Sequence, residues 1–437
     1  MRPMSIKRIV AMIGVLVVLA GCALNVPPAT QLPSTAAASG PAVDIEANGT
    51  RHVVWQDCGT SCSIIYQRTT SAGVTAKITL APPTGEAYRE PDIAVSDDGK
   101  AYIVWRSLTA ASNTYVAYFA VIPAGATTAP ARQALAGSAT ATIASDPPSV
   151  TARGNTVYAV YFAPSGTNVY LYKRRLNPLD AATQLTTNPN TKISNASLAI
   201  DSLGNLHVAY EYGAADGGQY QAVFYHGPST GQHLLANNGV AWDYYSRPDL
   251  ELDSADTVYV LYATDHKYLD VFRRRPTGEE TKFGLLPGGA NGWWINQPDM
   301  AVVGGNLEIA FSGSNASLPP KYSVVWKASL NTASGAVTSP TQISPTSVWL
   351  PQDAKIANVQ NYPVIMWTQV DPGTGHCTYE GFYWEKSNGV RKVFASTGCH
   401  ADQLDLAVRG EWVSGVSISG SQSNVDLPAP WIVYNTK

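Results

Sequence analysis

A repeat of about fifty residues constrains this chain more than any other feature of its sequence. The clearest copy runs from Pro91 to Trp105 (PDIAVSDDGKAYIVW), where an alternating apolar strand, an Asp98-Gly99 turn and a second strand follow one another. Eight copies occur at intervals of 48 to 57 residues, and they begin at Pro41, Pro91, Pro148, Ala196, Pro248, Pro298, Ala354 and Leu404. A period of this length, with strands in every unit, is typical of a radial array of β-sheets.

Each repeat divides into four short β segments. In the second unit they are Asp92–Val95, Ala101–Trp105, Thr114–Val121 and Arg132–Ala136. Four strands make one propeller blade, so the sequence predicts an all-β, eight-bladed β-propeller. Seven blades is the alternative, should residues 41–80 form something else. A helical repeat is excluded, because no stretch after residue 22 keeps apolar residues at helical spacing over three turns.

The two ends of the chain are predicted to share one blade. The last repeat stops at Lys437 without a fourth strand, while residues 29–34 (ATQLPS) resemble the fourth strand of another unit, PTQIS at residues 340–344. We expect the segment around Gln31 to complete the last blade. Such a closure leaves no exposed strand edge at the junction of the ring.

The first 22 residues have the pattern of a targeting segment. Arg2, Lys7 and Arg8 precede an apolar run too short to span a bilayer, and Leu-Ala-Gly-Cys22 follows it. This site resembles the lipobox of bacterial lipoproteins, in which the cysteine carries lipid. The alternative is an ordinary secretory signal with an incidental Cys22. The expected domains are a lipoprotein signal peptide (1–22), a tether plus closing strand (23–40) and the propeller (41–437).

The expected location is therefore extracytoplasmic, at the cell surface or in the periplasm, with lipid as the single attachment to the bacterial membrane. Removal of the signal changes the net charge from −3 to −6. A mildly acidic chain with scattered charge is a poor partner for nucleic acid. No nucleotide, metal or nucleophile motif is present, and the seven histidines lack metal-ligand spacing, so no cofactor and no metal are expected.

Four cysteines remain after Cys22. In an oxidising compartment they are expected to form disulfides, and proximity favours Cys58 with Cys62 and Cys377 with Cys399. Four cysteines allow three connectivities, so the pairing stays open at this stage. A metal site is the weaker alternative, because the paired CxxC pattern is missing.

The loops that join fourth strands to the next first strands, together with those that join second to third strands, should lie on one face, here called the loop face. Bulky aromatic and charged residues concentrate in them. The candidate ligand-binding residues are Tyr88, Arg89, Trp242, Tyr245, Arg247, His266, Trp293 and Trp294. Aromatic faces stack on sugar rings, while arginine and acidic groups bond to hydroxyls or charged groups, so these loops favour a glycan or a polar polymer.

Acidic residues allow two interpretations. Four aspartates recur at one place in the repeat, which favours a structural role for Asp92, Asp249, Asp299 and Asp405. Two carboxylates could also hydrolyse a glycosidic bond, and the candidates are Glu90, Asp243, Asp249, Asp299 and Asp402. The sequence selects no pair among them. Asp44 and Glu251 interrupt the small-residue face of the first strand and are expected near the channel mouth or in a pair.

The unit PDIAVSDDGKAYIVW resembles the repeats of bacterial extracellular propellers of the sialidase-like, or BNR-repeat, group. The likeness extends from residue 41 to the end. It departs from that group at the Asp-box, Ser-x-Asp-x-Gly-x-x-Trp, because Ser96-Asp97-Asp98-Gly99 has a different spacing. Eight blades also differ from the six of sialidases, so the sialidase activity is not transferred to this chain.

These features together predict a surface-anchored lipoprotein propeller whose aromatic loop face binds a glycan or an envelope or extracellular protein. The alternative is a carbohydrate-active enzyme, either a glycosidase or a polysaccharide lyase. A scaffold for an envelope complex is a third class, which a large apolar patch on the blade sides would indicate. The fold alone does not distinguish these functions.

Overall fold

The computed structural model describes residues 30–31, 37–59, 61–70, 72–137, 142–143, 146–165, 168–186, 192–213, 220–228, 230–237, 248–264, 268–286, 294–314, 324–344, 351–371, 378–385, 389–397, 400–409, 412–420 and 429–434. These residues form strands, turns and bends, and no helix occurs among them. Nor do they include a helix that is long and apolar enough to cross a bilayer.

The strands fall into groups of four along the chain, after the short β1 (Thr30–Gln31). Sheet 1 comprises β2 (Ala37–Ile45), β3 (Arg51–Cys58), β4 (Cys62–Thr70) and β5 (Gly73–Leu80). Sheet 2 comprises β6 (Glu86–Val95), β7 (Ala101–Thr109), β8 (Thr114–Ile122) and β9 (Gln133–Ala134). Sheet 3 comprises β10 (Ser149–Arg153), β11 (Thr156–Ser165), β12 (Asn168–Asn177) and β13 (Thr183–Gln184). Sheet 4 comprises β14 (Lys192–Ile200), β15 (Leu206–Gly213), β16 (Tyr220–Gly227) and β17 (Gly231–Asn237).

The second half of the chain continues the pattern. Sheet 5 comprises β18 (Asp249–Leu252), β19 (Val258–Thr264), β20 (Tyr268–Arg274) and β21 (Glu280–Gly284). Sheet 6 comprises β22 (Trp294–Val303), β23 (Asn306–Ser314), β24 (Val324–Asn331) and β25 (Val337–Gln342). Sheet 7 comprises β26 (Pro351–Val359), β27 (Tyr362–Asp371), β28 (Thr378–Glu385) and β29 (Gly389–Thr397). Sheet 8 comprises β30 (His400–Arg409), β31 (Trp412–Gly420), β32 (Ala429–Tyr434) and the N-terminal β1.

Sheet 8 joins the two ends of the chain. β1 pairs antiparallel with β32, with Thr30 opposite Ile432 and Gln31 opposite Trp431. The predicted closing strand is thus confirmed, and it occupies the fourth position of the last sheet. In the other seven sheets the four strands pair antiparallel in chain order.

The sheets are arranged in a ring. The first strand of each sheet contacts the first strand of the next, from β2 through β6, β10, β14, β18, β22, β26 and β30, and β30 contacts β2 again. These strands therefore surround the axis, and the third and fourth strands lie outside them. The described sheets number eight, one for each sequence repeat.

The core consists of apolar layers between neighbouring sheets. One aromatic residue near the end of the second strand is buried in seven of the sheets: Trp55, Trp105, Tyr161, Tyr210, Tyr262, Phe311 and Trp367. In sheet 2, Trp105 packs on Tyr88 and Tyr118 of the same face, and this face contacts Val54, Tyr66 and Ile78 of sheet 1. Burial of such large rings supplies most of the driving force that holds one sheet against the next.

Tight turns join the first and second strands on the face opposite the loop face, here called the turn face. Gly99 and Gly204 occupy these turns at φ of 75° and 81°. Residues with a side chain rarely adopt such angles, which explains the glycines that recur at this point of the repeat. Every first strand therefore starts at the loop face and ends at the turn face.

Candidate functional site

Most of the residues predicted for ligand binding lie outside the described residues. This holds for Trp242, Tyr245, Arg247, His266 and Trp293, and also for Cys22, Cys377 and Cys399. The backbone of Trp294 begins β22 opposite Ser314, while its side chain is not among the described ones. The described part of the loop face is therefore centred on sheets 1 and 2, where Tyr88 and Arg89 lie.

Tyr88 lies in the core between sheets 1 and 2. Its residue is 2% exposed, and its ring centroid is 5.2 Å from that of Trp105. Its hydroxyl accepts a hydrogen bond from Nη1 of Arg132 at 2.9 Å. The alternation of side chains along β6 turns Tyr88 toward sheet 1, so the ring packs between sheets instead of standing free on the loop face.

A charged network covers the outer edge of this aromatic layer. Arg132 binds both carboxylate oxygens of Glu86, with Nη2 to Oε1 at 2.9 Å, and the guanidinium lies 4.1 Å from the ring centroid of Tyr118. Ser107 donates to the same carboxylate at 2.7 Å. These hydrogen bonds, that of Arg132 first, lower the pKa of Glu86. A bidentate pair that also stacks on an aromatic ring is a stable feature of the surface.

Glu90 marks the point where the chain enters sheet 2 from the loop face. The register of β6 against β7 shifts between Arg89 and Asp92, and Glu90 lies in this bulge with a φ of 49°. A left-handed backbone costs a non-glycine residue about 1–2 kcal/mol. Bulges and strained residues of this kind are concentrated at functional sites.

The carboxylate of Glu90 pairs with an arginine at the end of the second strand. Oε2 lies 2.6 Å from Nη2 of Arg106, whose guanidinium is 4.5 Å from the ring centroid of Tyr115. The side chain of Glu90 is 35% exposed, against 12% for Arg106. The backbone N–H of Glu90 donates to Oε1 of Gln56 in sheet 1 at 3.1 Å. Oε2 of Glu90 is therefore buried against Arg106, while the side chain as a whole is partly exposed from a fixed position.

The same bulge occurs in sheets 1 and 4 with different chemistry. Gly40 and Asn195 occupy the place of Glu90, with φ of 56° and 51°. Asn195 donates its amide to Oε2 of Glu211 at 2.6 Å, so in sheet 4 the acidic group is on the second strand. Gln56, Arg106 and Glu211 each follow the buried aromatic residue of their strand. Sequence reasoning missed these three, although the dipeptides WQ, WR and YE in the second strands were a visible signal.

A disulfide lies beside this group. Cys58 and Cys62 are bonded, with an S–S distance of 2.15 Å, and they close the hairpin between β3 and β4. The amide of Gln56 donates to Sγ of Cys58 at 2.8 Å. The hairpin end, Gln56 and the Glu90–Arg106 pair together form a polar surface, called here the sheet 1–2 entry site.

Below the loop face, carboxylates join neighbouring first strands. Asp92 accepts the backbone N–H of Val150 at 2.8 Å, and Asp249 accepts that of Met300 at 2.8 Å. The two remaining members of the set act in the same way: Asp299 on Ile356 at 2.7 Å and Asp405 on Val43 at 2.8 Å. The register-setting role that their recurrence predicts is thus what the geometry shows.

Two departures from the repeat serve the same purpose. In sheet 4 the hydroxyl of Ser197 stands where the aspartate would be and accepts the N–H of Leu250 at 3.0 Å. Asp44 lies two residues further along its strand and accepts the N–H of Val95 at 2.6 Å. Asp44 therefore links sheets 1 and 2. The sequence left it either near the channel mouth or in a pair, and the structure shows it bonded to a neighbouring strand.

The inner carboxylates are poorly hydrated. Removal from water raises the pKa of Asp44 to about 6 and that of Asp92 to about 7. Burial, together with the negative charge of Asp299, raises the pKa of Asp249 to about 7. Burial and the negative charge of Asp249 also raise the pKa of Glu251 well above its ordinary value. Lys355 supplies a positive charge, with Nζ 3.0 Å from Oδ1 of Asp299.

These bonds bear on glycoside hydrolysis. Oδ1 of Asp249 accepts the N–H of Leu250 while Oδ2 accepts that of Met300, so both oxygens are committed to backbone. The oxygens of Asp299 are held by Ile356 and Lys355. Asp243 lies outside the described residues, and the side chain of Asp402 is not described. Among the described candidates, Glu90 alone has a carboxylate turned to the loop face.

The turn face contains a second recurring group. Nε2 of His52 lies 2.8 Å from Glu46 and Nδ1 lies 2.8 Å from the hydroxyl of Tyr66. His207 has the same partners at the same places of sheet 4, Asp201 and Tyr225. Burial lowers the pKa of both histidines, so each ring is neutral, donates to the carboxylate and accepts from the tyrosine. With His52 only 1% exposed, this group is structural.

No protein-family model matches the chain, and no curated protein is significantly similar in sequence. Among solved structures, the WD40 domain of SCAP from fission yeast is 12% identical over 94% of this chain and 98% of that chain, with a TM-score of 0.50. The intramolecular trans-sialidase from Ruminococcus gnavus is 9% identical over 94% and 97% at a TM-score of 0.37, and the Aleuria aurantia lectin is 10% identical over 70% and 95% at 0.38.

The likeness to the WD40 domain, together with the ring of four-stranded sheets, defines the class of this protein. It is a β-propeller. At these identities the comparisons define a fold and carry no information about ligand or activity.

Proposed function

We propose that this propeller is a binding module whose loop face holds a polar ligand, a glycan or an extracellular protein segment. The observation that supports it best is the Glu90–Arg106 pair. It combines a partly exposed glutamate side chain, a guanidinium stacked on Tyr115 and a strained backbone at φ 49°, all where the chain enters sheet 2 from the loop face. A carboxylate and guanidinium side by side can accept from and donate to neighbouring hydroxyls, which is the chemistry that orients a sugar in a binding site.

The proposal favours binding over hydrolysis for a geometric reason. Hydrolysis needs two carboxyl groups flanking one bond, with one to donate a proton. Among the described residues, the aspartates nearest the axis are engaged with backbone N–H groups, and the partner of Glu90 is an arginine. A carbohydrate-active enzyme remains the outcome to be excluded by experiment.

The test is a glycan panel with the full chain in a non-ionic detergent, in which mass spectrometry detects both retained and shortened species. Retention without cleavage is the expected result. Glu90→Gln keeps the shape of the side chain and should weaken retention, as should Trp293→Ala combined with Trp294→Ala. Shortened or unsaturated products would show an enzyme instead.

Glu279→Gln is the matched control. Glu279 pairs with Arg275 at 2.6 Å, the same separation as Glu90 and Arg106, but on the strand connection at the turn face. Its substitution should leave retention unchanged. If Glu279→Gln and Glu90→Gln weakened retention equally, the proposal that the loop face binds the ligand would be refuted. If no glycan were retained, the ligand would be assigned to the protein class.

The same proposal includes attachment to a bacterial membrane through lipid on Cys22, on the outer side of the cytoplasmic membrane or at the cell surface. It rests on the lipobox-like Leu-Ala-Gly-Cys22 sequence. Cys22→Ala should shift the chain from the membrane fraction to the soluble extracytoplasmic fraction, and the intact mass of the parent should include acyl chains. An unmodified cysteine in the parent would refute the anchor without affecting the loop-face assignment.

A further inference from the structure

A cationic cleft lies between sheets 3 and 4, away from the loop face. Successive residues of β12 alternate between its two faces, so Leu171, Lys173 and Arg175 point toward sheet 4. Leu171 is buried in the apolar layer shared with Val208 and Tyr210 of that sheet. Lys173 and Arg175 follow it toward the turn face and are half-buried.

Two cations flank one aromatic ring in this cleft. Nζ of Lys173 and Cζ of Arg175 each lie 5.8 Å from the ring centroid of Tyr158. Arg175 donates to the carbonyl of Asn177 at 3.2 Å and weakly to the hydroxyl of Thr156 at 3.4 Å. Neither cation pairs with a carboxylate among the described residues. Asp180 accepts the backbone N–H of Arg175 at 2.9 Å, not its guanidinium.

Sheet 4 supplies a third nitrogen-bearing group. His226 is opposite Val208 on β15, so its side chain is on the face of sheet 4 that packs against sheet 3. Burial lowers the pKa of His226, and the positive charge of Lys173 lowers it further. Like charges brought together without a counter-charge destabilise a folded protein. A bound anion would supply the missing counter-charge and stabilise these neighbouring cations.

An unsatisfied amide lies beside these charges. Gln232 is directly opposite His226 on the neighbouring strand β17, so both side chains are on the face of sheet 4 that looks toward sheet 3. The amide nitrogen and the amide oxygen of Gln232 are both buried, and neither has a hydrogen-bond partner among the described residues. A buried amide without hydrogen-bond partners destabilises the folded state, so its presence here independently indicates a ligand.

The chain contains a counter-example that makes the cleft unusual. Nζ of Lys282 lies 5.5 Å from the ring centroid of Tyr262, much as Lys173 lies from Tyr158. Lys282, however, also pairs with Asp270 at 3.0 Å. The same lysine–tyrosine arrangement is therefore neutralised in sheet 5 and left uncompensated between sheets 3 and 4.

We propose that this cleft binds the anionic group, a sulfate ester or a carboxylate, of an acidic polysaccharide. Lys173 and Arg175 neutralise the charge, Gln232 donates to an anionic oxygen and accepts from an adjacent hydroxyl, and the ring of Tyr158 faces the sugar. The demand for both an acceptor and a donor at one place favours a sugar acid over a simple ion. The site is separate from the loop face and does not depend on its function.

The test measures affinity of the full chain, in non-ionic detergent, for dextran sulfate, polygalacturonate and uncharged dextran. We expect the protein to be retained by at least one of the two anionic polymers and not by uncharged dextran. Retention by dextran sulfate would indicate a sulfate ligand, and retention by polygalacturonate a carboxylate ligand. Lys173→Gln should weaken the affinity about tenfold, as loss of one charge-assisted contact does. The control Lys282→Gln removes a lysine that already has a carboxylate partner and should leave the affinity unchanged.

A second variant separates a defined site from general charge attraction. Gln232→Met leaves the net charge unaltered and should also weaken binding about tenfold, while a general attraction would be insensitive to it. Unchanged thermal midpoints establish that the variants are folded, and Gln232→Ala, which also leaves the net charge unaltered, replaces Gln232→Met should the latter unfold. Three results would overturn the proposal. They are equal retention of the protein by dextran, a loss of affinity in Lys282→Gln as large as that in Lys173→Gln, and binding to phosphatidylglycerol vesicles but not to the polymers.

Discussion

Oδ2 of Asp405, in the last sheet, accepts the backbone N–H of Val43, in the first, at 2.8 Å. Together with the pairing of Gln31 and Trp431, this bond joins the two ends of the chain at both the inside and the outside of the ring. Asp92 makes the same bond to Val150 inside the chain. The first and last sheets are thus joined by the same aspartate-to-backbone hydrogen bond that joins sheets 2 and 3.

Asp405→Ala should destabilise the protein because it leaves the N–H of Val43 without an acceptor. The expected loss in the free energy of unfolding is about 1–3 kcal/mol, the cost of one buried unsatisfied donor. Asp405→Asn keeps an acceptor and should cost less. The measurement is urea unfolding followed by tryptophan fluorescence.

Asp98→Asn is the control for this comparison. Asp98 forms an ion pair with Lys100 in an exposed turn, and such pairs contribute about 0–1 kcal/mol. A loss in Asp405→Ala no larger than in Asp98→Asn would contradict a closing role for Asp405.

The inner carboxylates predict an unusual dependence of stability on pH. Burial raises the pKa of Asp44 to about 6 and that of Asp92 to about 7, above the ordinary value of 3.8, so the folded state binds their protons more tightly than the unfolded state. Their contribution is complete below about pH 4 and is lost as the pH rises through 6 and 7. The thermal midpoint should therefore fall between pH 6.5 and pH 8, as differential scanning calorimetry would record.

The neutral histidines act in the opposite sense. Burial holds the pKa of His52 and His207 below the ordinary value of 6.5, so their contribution is lost as the pH falls below that value and is constant above about pH 6.5. Asp92→Asn should flatten the decline above pH 6.5 and leave the acid side unchanged. A midpoint that rises from pH 6.5 to pH 8 in the parent would refute the assignment of the raised pKa values.

The Glu46–His52–Tyr66 group should behave as one unit. His52→Phe removes an imidazole that bonds to both neighbours, and the buried hydroxyl of Tyr66 loses its acceptor. The expected loss is about 2 kcal/mol. Tyr66→Phe removes the other half of the same bond, so the double variant should lose clearly less than the sum of the two single losses. Additive losses in a urea-unfolding cycle would show that His52 and Tyr66 are independent.

The sequence predicted the parts of this fold that depend on local pattern. Period, strand order, turns and the closing segment near Gln31 follow from alternation, glycine positions and an unpaired last repeat. The recurrence of Asp92, Asp249 and Asp299 correctly indicated a structural role. That role depends on a bond to the next sheet, however, and Ser197 performs it without any aspartate.

What the sequence could not give are contacts that depend on how strands and sheets are placed against one another. Tyr88 belongs to a loop-face sequence, but the pleat of β6 turns it into the core between sheets 1 and 2. Arg106 and Glu90 are 16 positions apart and meet within sheet 2 because a bulge realigns β6 against β7. The cleft of Lys173 and Gln232 needs two sheets to be placed side by side. Charge compensation also depends on strand placement, because Lys282 finds its carboxylate partner, Asp270, on the neighbouring strand of sheet 5.

Variants of Glu90 test whether the strained backbone of the entry site lowers the stability of the protein while Glu90 takes part in ligand binding. Its φ of 49° is one that glycine adopts freely, and sheet 1 has Gly40 at the same place. Glu90→Gly and Glu90→Ala both remove the ion pair with Arg106, so their difference isolates the backbone. The glycine variant should be more stable than the alanine variant by about 1 kcal/mol in urea unfolding. Both should lose the ligand retention of the loop face. Equal stabilities would mean that the backbone at Glu90 is unstrained, and retained ligand would remove Glu90 from the site.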